Sequence, residues 1–514
     1  MALIQLFIWI QLVFAQAPQR VLSPVEESTH GASIESASAN AASIFNAIHS
    51  SMRQWGSSIQ HNGMSFFPAV VPKGTVLYHG DCNPIPPTHV DWLAFEIRHA
   101  ELFTNGVCLS IPPSSEDSRH RSIWELQLEG GWDDPKRPPP GVRRAGNLQI
   151  YQANRPLKFL YVDGMGAAKS DFGPMDAQDR LLSLNFTRPA WAEWERVKDL
   201  CQLAAGWKLD GFIRMEAGFE IIKCDFSDGM DLLSARKRPP LESGGGLSLL
   251  EYMRDVSSRY NGIDGSRVFL DYSSMVSAYF YPTNLSNSDL DSDLPRLLFS
   301  TPAQLSRIRS DLGALILKAD PYTSIDWQGV VDMISKEYSL RLQHMATDPP
   351  HVEILTTVNE LVNLYVDYDD LDSPDHIEVC SQHYLHAVQP STAQDHLIHA
   401  ALSTVTHKIC STLFSVRKIL FDGGEKSGVH PTSPAELIRS LMAWLDWPEW
   451  KFCGQCPVDE VCFVAVFPFG TAEDHFHPRC KNKTELEEFG RETNYWRRGR
   501  LPRLKPKPLA GEVV

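Results

Sequence analysis

"GTVLYHGDCNP", residues 74–84, sets a run of strand formers against a Gly-Asp-Cys-Asn-Pro turn, with His79 at the junction. Aromatic and β-branched residues followed by turn formers read as a strand that ends near His79. The same pattern recurs outward from it. "SIWELQLE" (122–129), "LQIYQA" (148–153), "LKFLYVDG" (157–164) and "GFEIIKCDF" (218–226) are further short β-rich runs. They alternate with helix-like spacing in "AASIFNAIHSSMRQW" (41–55), "WLAFEIRHAELFT" (92–104) and "PAWAEWERVKDLCQLAAGW" (189–207). The expected fold is α+β: an N-terminal mixed α/β domain with a β core over residues 41–234.

"ARKRPPLESGGG", residues 235–246, combines charge, Pro-Pro and three glycines and reads as a linker. Beyond it, "LSLLEYMRDVSSRY", "TPAQLSRIRSDLGALILKA", "IDWQGVVDMISKEYSLRLQHM", "VEILTTVNELVNLYV" and "TAQDHLIHAALSTVTHKICSTLFSVRKIL" repeat apolar residues every third or fourth position. A mainly α-helical domain is expected over 247–440. A Cys- and Trp-rich segment follows at 441–482, then a basic tail at 483–514, expected to be disordered and carrying Arg497, Arg498, Arg500, Arg503, Lys505 and Lys507.

At the other end, "LIQLFIWIQLVF" is an apolar run followed by Ala15-Gln16-Ala17. That is the pattern of a secretory signal peptide cleaved after residue 17, with a flexible Ser- and Ala-rich lead over 18–40. No later stretch has the roughly 18 apolar residues a membrane span needs. An exported chain in an oxidising compartment pairs its cysteines, and there are ten. Proximity suggests Cys82 with Cys108, Cys201 with Cys224 and Cys380 with Cys410. Cys453, Cys456, Cys462 and Cys480 make two more disulfides or, with His475 and His477, a zinc site. Asn185, Asn284 and Asn482 open glycosylation sequons. A net charge of -15 over 514 residues argues against the whole surface gripping nucleic acid phosphates, the basic tail being the exception.

The strand ending in His79-Gly80, the segment "WLAFEIRHAELFT" and the later "LQIYQANRPLKFLYVDG" together resemble an ADP-ribosyltransferase-like domain over about residues 70–230. The resemblance implies that NAD is the substrate, with no other cofactor indicated. His79 would contact the NAD ribose or phosphate, Trp92 and Phe95 would form the nicotinamide wall, and Glu220 would orient the reactive ribose beside a developing positive charge. Trp92-Leu93-Ala94-Phe95 departs from the family pattern by lacking a Tyr or a Ser-Thr-Ser run. The alternative reading leaves His79 as a hydrogen-bonded strand-end residue, Phe95 as core and Glu220 paired with an arginine such as Arg214.

Glu216 and Glu220 are also candidates for an acid/base pair in sugar hydrolysis. On one straight strand they lie about 13 Å apart, too far for two glycosidase carboxylates unless Gly218 bends the chain. Asp163, Asp171, Asp176 and Asp179 form either a calcium-holding loop or a solvated acidic rim. "LYVDGM", "DGFIRMEAGFEIIKCDFSDG" and "DEVCFVAVFPFGTAEDH" resemble uncharacterised secreted proteins of filamentous fungi, which implies compartment and architecture but no activity. The competing function is that of a non-enzymatic effector or cell-wall-associated factor with a protein or wall partner.

Overall fold

The computed structural model describes residues 31–81, 83–104, 146–239, 248–289, 292–318, 325–370, 373, 375–421, 433–488 and 494–497. Ten strands make one sheet: β1 Asn62–Val71, β2 Val76–Asp81, β3 Asp91–Ala94, β4 Asn147–Ala153, β5 Leu157–Gly164, β6 Gly211–Met215, β7 Phe219–Lys223, β8 Met230–Lys237, β9 Phe269–Leu270 and β10 Val276–Ser277. Their order is β10-β1-β5-β6-β7-β3-β2-β4-β8, with β9 also on β1. All pairs are antiparallel except β5 with β6. That parallel pair requires a crossover, which the helix Glu193–Trp207 supplies.

Every residue of β1 is buried, so both faces of the sheet are covered along that strand. Helices Ala41–Ser50 and Gln54–Gln60 pack on β1 and β5. The single helix expected over 41–55 is broken at Ser51-Met52-Arg53, where Met52 adopts φ 53°. Helix Ala41–Ser50 also lies against the helices Trp327–Ala346 and Ala393–Phe421, which links sheet and bundle. The five helical runs expected beyond the linker form at Leu249–Ser257, Pro302–Ile316, Trp327–Ala346, His351–Val362 and Ala393–Phe421.

Three expectations are corrected, and the mainly helical region gains one addition. The lead does not extend to residue 40, because Ser33 caps a helix at Ile34–Ala39 by accepting from Ser36 N. The helical region also contributes strands, since β9 and β10 extend the sheet through β1. One hydrophobic core runs from Ala37 to Trp496 across the linker. The tail is ordered further than its charge implied. Helices Lys483–Glu488 and Asn494–Arg497 form, and Trp496 is 1% exposed, its indole N–H donating to Phe469 O. Two buried aromatics outweigh the adjoining cations.

Among the described residues the disulfides are Cys201–Cys224, Cys380–Cys410, Cys453–Cys462 and Cys456–Cys480. Cys82 and Cys108 lie outside those residues. A second, two-stranded sheet pairs β11 Glu460–Phe463 with β12 Arg479–Asn482. No described helix is long and apolar enough to cross a membrane.

Burial lowers the pKa of His49 to about 4, of His61 to about 3 and of His99 to about 4, and takes His475 well below the ordinary value. His61 and His475 meet at 4.6 Å between ring centroids, and His61 Nε2 is 2.6 Å from the Tyr495 hydroxyl. The unfolded chain binds these protons at about pH 6.5 while the folded chain does not. Stability is therefore complete above that pH and is lost as pH falls toward 4. Asp163, raised by burial to about 7, works in the opposite sense, as do Asp255, Asp446 and Glu449, while His399 and the carboxyls of Glu193, Asp210, Asp225 and Asp395, all lowered, add to the loss on acidification. Denaturant unfolding from pH 7 to pH 4 should show a net fall in stability. His61→Asn, which tolerates the φ of 51° at that position, should flatten the curve by about 1.4 kcal/mol per pH unit.

Candidate functional site

The register separates the residues that the transferase resemblance would bring together. Tyr78 pairs with Ala94 and Ala94 with Glu220, so these three side chains share one face. His79, next to Tyr78 on the same strand, points to the opposite face because successive strand residues alternate. Trp92, two residues before Ala94, stands on the Glu220 face.

His79 is 4% exposed. Its Nδ1 lies 2.7 Å from Trp92 O and 3.9 Å from Asp91 Oδ1, and its ring meets Phe226 at 5.2 Å. Nε2 has no hydrogen-bond partner among the described residues. His79 thus ties β2 to β3 rather than facing Glu220. Phe95 is fully buried, with the Arg267 guanidinium 6.0 Å from its ring centre and donating to Phe95 O at 2.8 Å. No face of that ring is open for stacking on a ligand. Trp92 is half-buried and meets Trp194 edge to face at 5.0 Å.

Glu220 lies in a buried ionic cluster between the sheet and the crossover helix. Arg214, its cross-strand neighbour, donates from Nε to Glu220 Oε1 at 2.7 Å and from Nη1 to Gln178 Oε1 at 3.0 Å; Nη2 bonds to Glu193. Arg196 donates to Glu193 Oε2 at 2.6 Å and to both oxygens of Asp179 at 2.9 and 2.8 Å. Arg188 reaches Asp179 Oδ1 at 2.8 Å and also bonds to Asp199. Arg214 and Arg196 are fully buried. Burial would raise the Glu193 pKa, but Arg214, Lys169 and Arg196 together hold it far below the usual carboxylate value. Burial acts to lower Arg214, and Glu193 and Glu220 reverse that and keep it charged.

Chemically, this arrangement is a closed set of matched charges. Glu220 accepts from Arg214, as the alternative sequence reading had it, and is not poised beside an empty ribose position. Gly218 does bend the chain, with Glu216 to Gly218 turning between β6 and β7. Glu216 and Glu220 thereby come near enough to Tyr252 for both to raise its pKa. Each nonetheless has a cation, Lys169 Nζ at 3.3 Å for Glu216 and Arg214 for Glu220. The hairpin also leans on the buried His99, where a Cβ added to Gly218 would come within 2.8 Å of His99 Cγ.

The acidic loop is neither a calcium loop nor wholly solvated. Asp163 accepts from Ser65 N at 2.8 Å, Asp176 pairs with Arg296 at 2.7 Å, and Asp179 belongs to the cluster. Only Asp171 of the four is exposed. The zinc alternative gives way to disulfides, since all four candidate sulfurs are consumed in pairs. The sequence reading paired Arg214 with Glu220 and placed Asp179 in an acidic loop, but missed Glu193 and Arg196. The available signal was an arginine inside the apolar run Gly211–Met215, which cannot be buried without an anion.

Residues 33–108 and 114–243 match the sequence profile of a family described as the YPL277C N-terminal domain. The chain is 38% identical over 215 residues to the uncharacterized protein YPL277C of Saccharomyces cerevisiae, covering 38% of this chain and 42% of that protein. It is 27% identical over 541 residues to the uncharacterized protein YOR389W of the same organism, covering 85% of this chain and 84% of that one. These matches support the resemblance to uncharacterised fungal proteins. No solved structure matches the chain.

Removing one partner from a buried ion pair leaves an uncompensated charge. Arg214→Ala should cost about 3–5 kcal/mol of stability. Glu220→Gln, which keeps an acceptor in place, should cost about 1–3 kcal/mol. Urea unfolding of the two variants beside wild type measures both, and equal losses would contradict the ranking.

Proposed function

We propose that this chain is an exported protein that acts by binding a partner, and that it does not turn over NAD. The observation that carries the reading is the bond from Arg214 Nε to Glu220 Oε1, on the sheet face opposite His79. A carboxylate held by a buried guanidinium cannot also support a cationic sugar centre without breaking that pair. Export is supported by the apolar leader with its small-x-small site and by the four disulfides, which persist in oxidising compartments. Glycosylation at the sequons is part of the same reading, and Asn284 is exposed.

The partner surface we favour includes Trp191, which is 64% exposed. It stands on a fixed loop, since the buried Arg196 donates to Pro189 O at 3.3 Å and Ala192 N bonds Pro189 O. A large, rigid, exposed indole is the side chain that most often anchors an interface. The partner is a protein or polymer of the cell wall.

Two measurements test this. Incubation of the purified protein with NAD should release no nicotinamide, and calorimetry should show no saturable NAD binding. Turnover that disappears in a folded Glu220→Gln variant would overturn the reading. Retention on a cell-wall fraction should weaken about tenfold in Trp191→Ala, in line with a loss above 1 kcal/mol at an interface tryptophan.

A further inference from the structure

The sulfur cluster near the C-terminus is connected in a way that leaves a second connectivity within reach. Cys462 and Cys480 are direct cross-strand partners on β11 and β12, yet they are not bonded to each other. Each is bonded instead to one cysteine of the preceding Cys-Gly-Gln-Cys segment, Cys462 to Cys453 and Cys480 to Cys456. The sulfurs of Cys453, Cys456 and Cys480 all lie within 4.8 Å of one another. A sulfur released from one bond therefore already sits beside a sulfur of the other bond.

The surroundings order the events. Cys456 and Cys480 are both half-buried, and the loop between the two segment cysteines is open, with Gly454 and Gln455 exposed and no heavy atom within 4 Å of an added Gly454 Cβ. Cys462 is 6% exposed, and the backbone N–H of Cys453 donates to its sulfur at 3.2 Å, which stabilises a thiolate leaving from that position. By contrast Cys380 and Cys410 are 2% and 0% exposed, beyond the reach of an external thiol.

We propose that residues 453–456 are a thiol–disulfide exchange site that takes dithiols as its substrate class. A thiolate of the external dithiol attacks Cys480 Sγ, forms a mixed disulfide and expels the Cys456 thiolate. Cys456 attacks Cys453 Sγ, forms the Cys453–Cys456 bond and expels the Cys462 thiolate, which takes up a proton. The second thiol of the external molecule attacks its own mixed-disulfide sulfur, closes the external disulfide and frees Cys480 as a thiol. The net change transfers two electrons and two protons from the dithiol. It leaves Cys453–Cys456 closed on itself and two facing thiols on β11 and β12. The exchange follows the ordinary course, in which a thiolate attacks a disulfide sulfur and its rate is set by the attacking thiolate, by the leaving sulfur and by access.

The test uses the full-length native protein and dithiothreitol in limiting amount. The reaction is quenched with an alkylating reagent, and the disulfides are mapped by peptide mass spectrometry. The first two-thiol species should carry label on Cys462 and Cys480, with Cys453 linked to Cys456. Label on Cys456 and Cys480 with Cys453–Cys462 intact would mean simple reduction without exchange and would overturn the proposal. So would any first species labelled at another pair. In a Cys480→Ser variant, where Cys456 has no partner, a mixture of Cys453–Cys456 and Cys453–Cys462 forms is expected, and the second form alone counts against exchange. Should that variant fail to fold, the wild-type trapping experiment decides the matter by itself.

Discussion

A fully buried guanidinium at the centre of a sheet forces much of what surrounds it. Arg214 occupies the middle of β6 with no access to water, so its charge has to be matched within the protein. Glu220 supplies one anion from the next strand, and Glu193 supplies the other from the start of the crossover helix. Arg196 then balances the second oxygen of Glu193 and carries the demand on to Asp179 and, through it, to Arg188. The docking of the helix, the path of the segment 177–182 and the pairing of β6 with β7 thus share one electrostatic requirement. A helix shifted by one turn would take Glu193 away from Arg214 and Arg196 away from Asp179. Burying such a set does not guarantee net stability, but it does penalise every alternative arrangement.

The same cluster explains why a transferase-like sequence pattern need not make a transferase site. The pattern requires a histidine and a glutamate facing one cleft. Here strand alternation sends His79 to the other face, where it bonds Trp92 O and holds β2 to β3. Phe95, which would stack on a flat ring, is sealed beneath Arg267. What is left near the Glu220 face is aromatic surface, the Trp92 and Trp194 pair, and the exposed Trp191 farther along the loop. Such surface suits recognition better than proton or group transfer.

Local signals made much of the fold legible. Strong β runs at 148–153, 157–164 and 218–226 became β4, β5 and β7, and the five helical repeats beyond residue 247 all formed. The pairings Cys201 with Cys224 and Cys380 with Cys410 followed from proximity along the chain. Trp92 to Ala94 was hidden, since its apolar spacing continues into the helix Ile97–Thr104 and only pairing with β2 and β7 makes it a strand. The burial of Tyr495 and Trp496 was equally hidden, because it depends on His61, Phe172 and Phe467 far away in sequence. In the candidate site, the Arg214 and Glu220 pair could be read from neighbouring strands. Its other members come from segments whose approach no local pattern encodes.

The hydrogen bonds of the first helices reach almost to the end of the chain. Asn46 donates to the carbonyl of Leu445, Trp55 to that of Pro448, and His61 meets Tyr495. A ribosome delivers these partners long after the helices themselves. The N-terminal helices therefore emerge with buried-type polar groups, Asn46 and Trp55 among them, whose partners come some four hundred residues later. Vectorial folding, in which an early unit completes itself while the rest is synthesised, leaves these polar groups unsatisfied in the early unit. The nascent chain must be held open until its C-terminal segment arrives, and contacts so distant in sequence form slowly. Its biosynthesis should therefore depend on chaperone capacity more heavily than that of a protein of equal length whose domains close one after another.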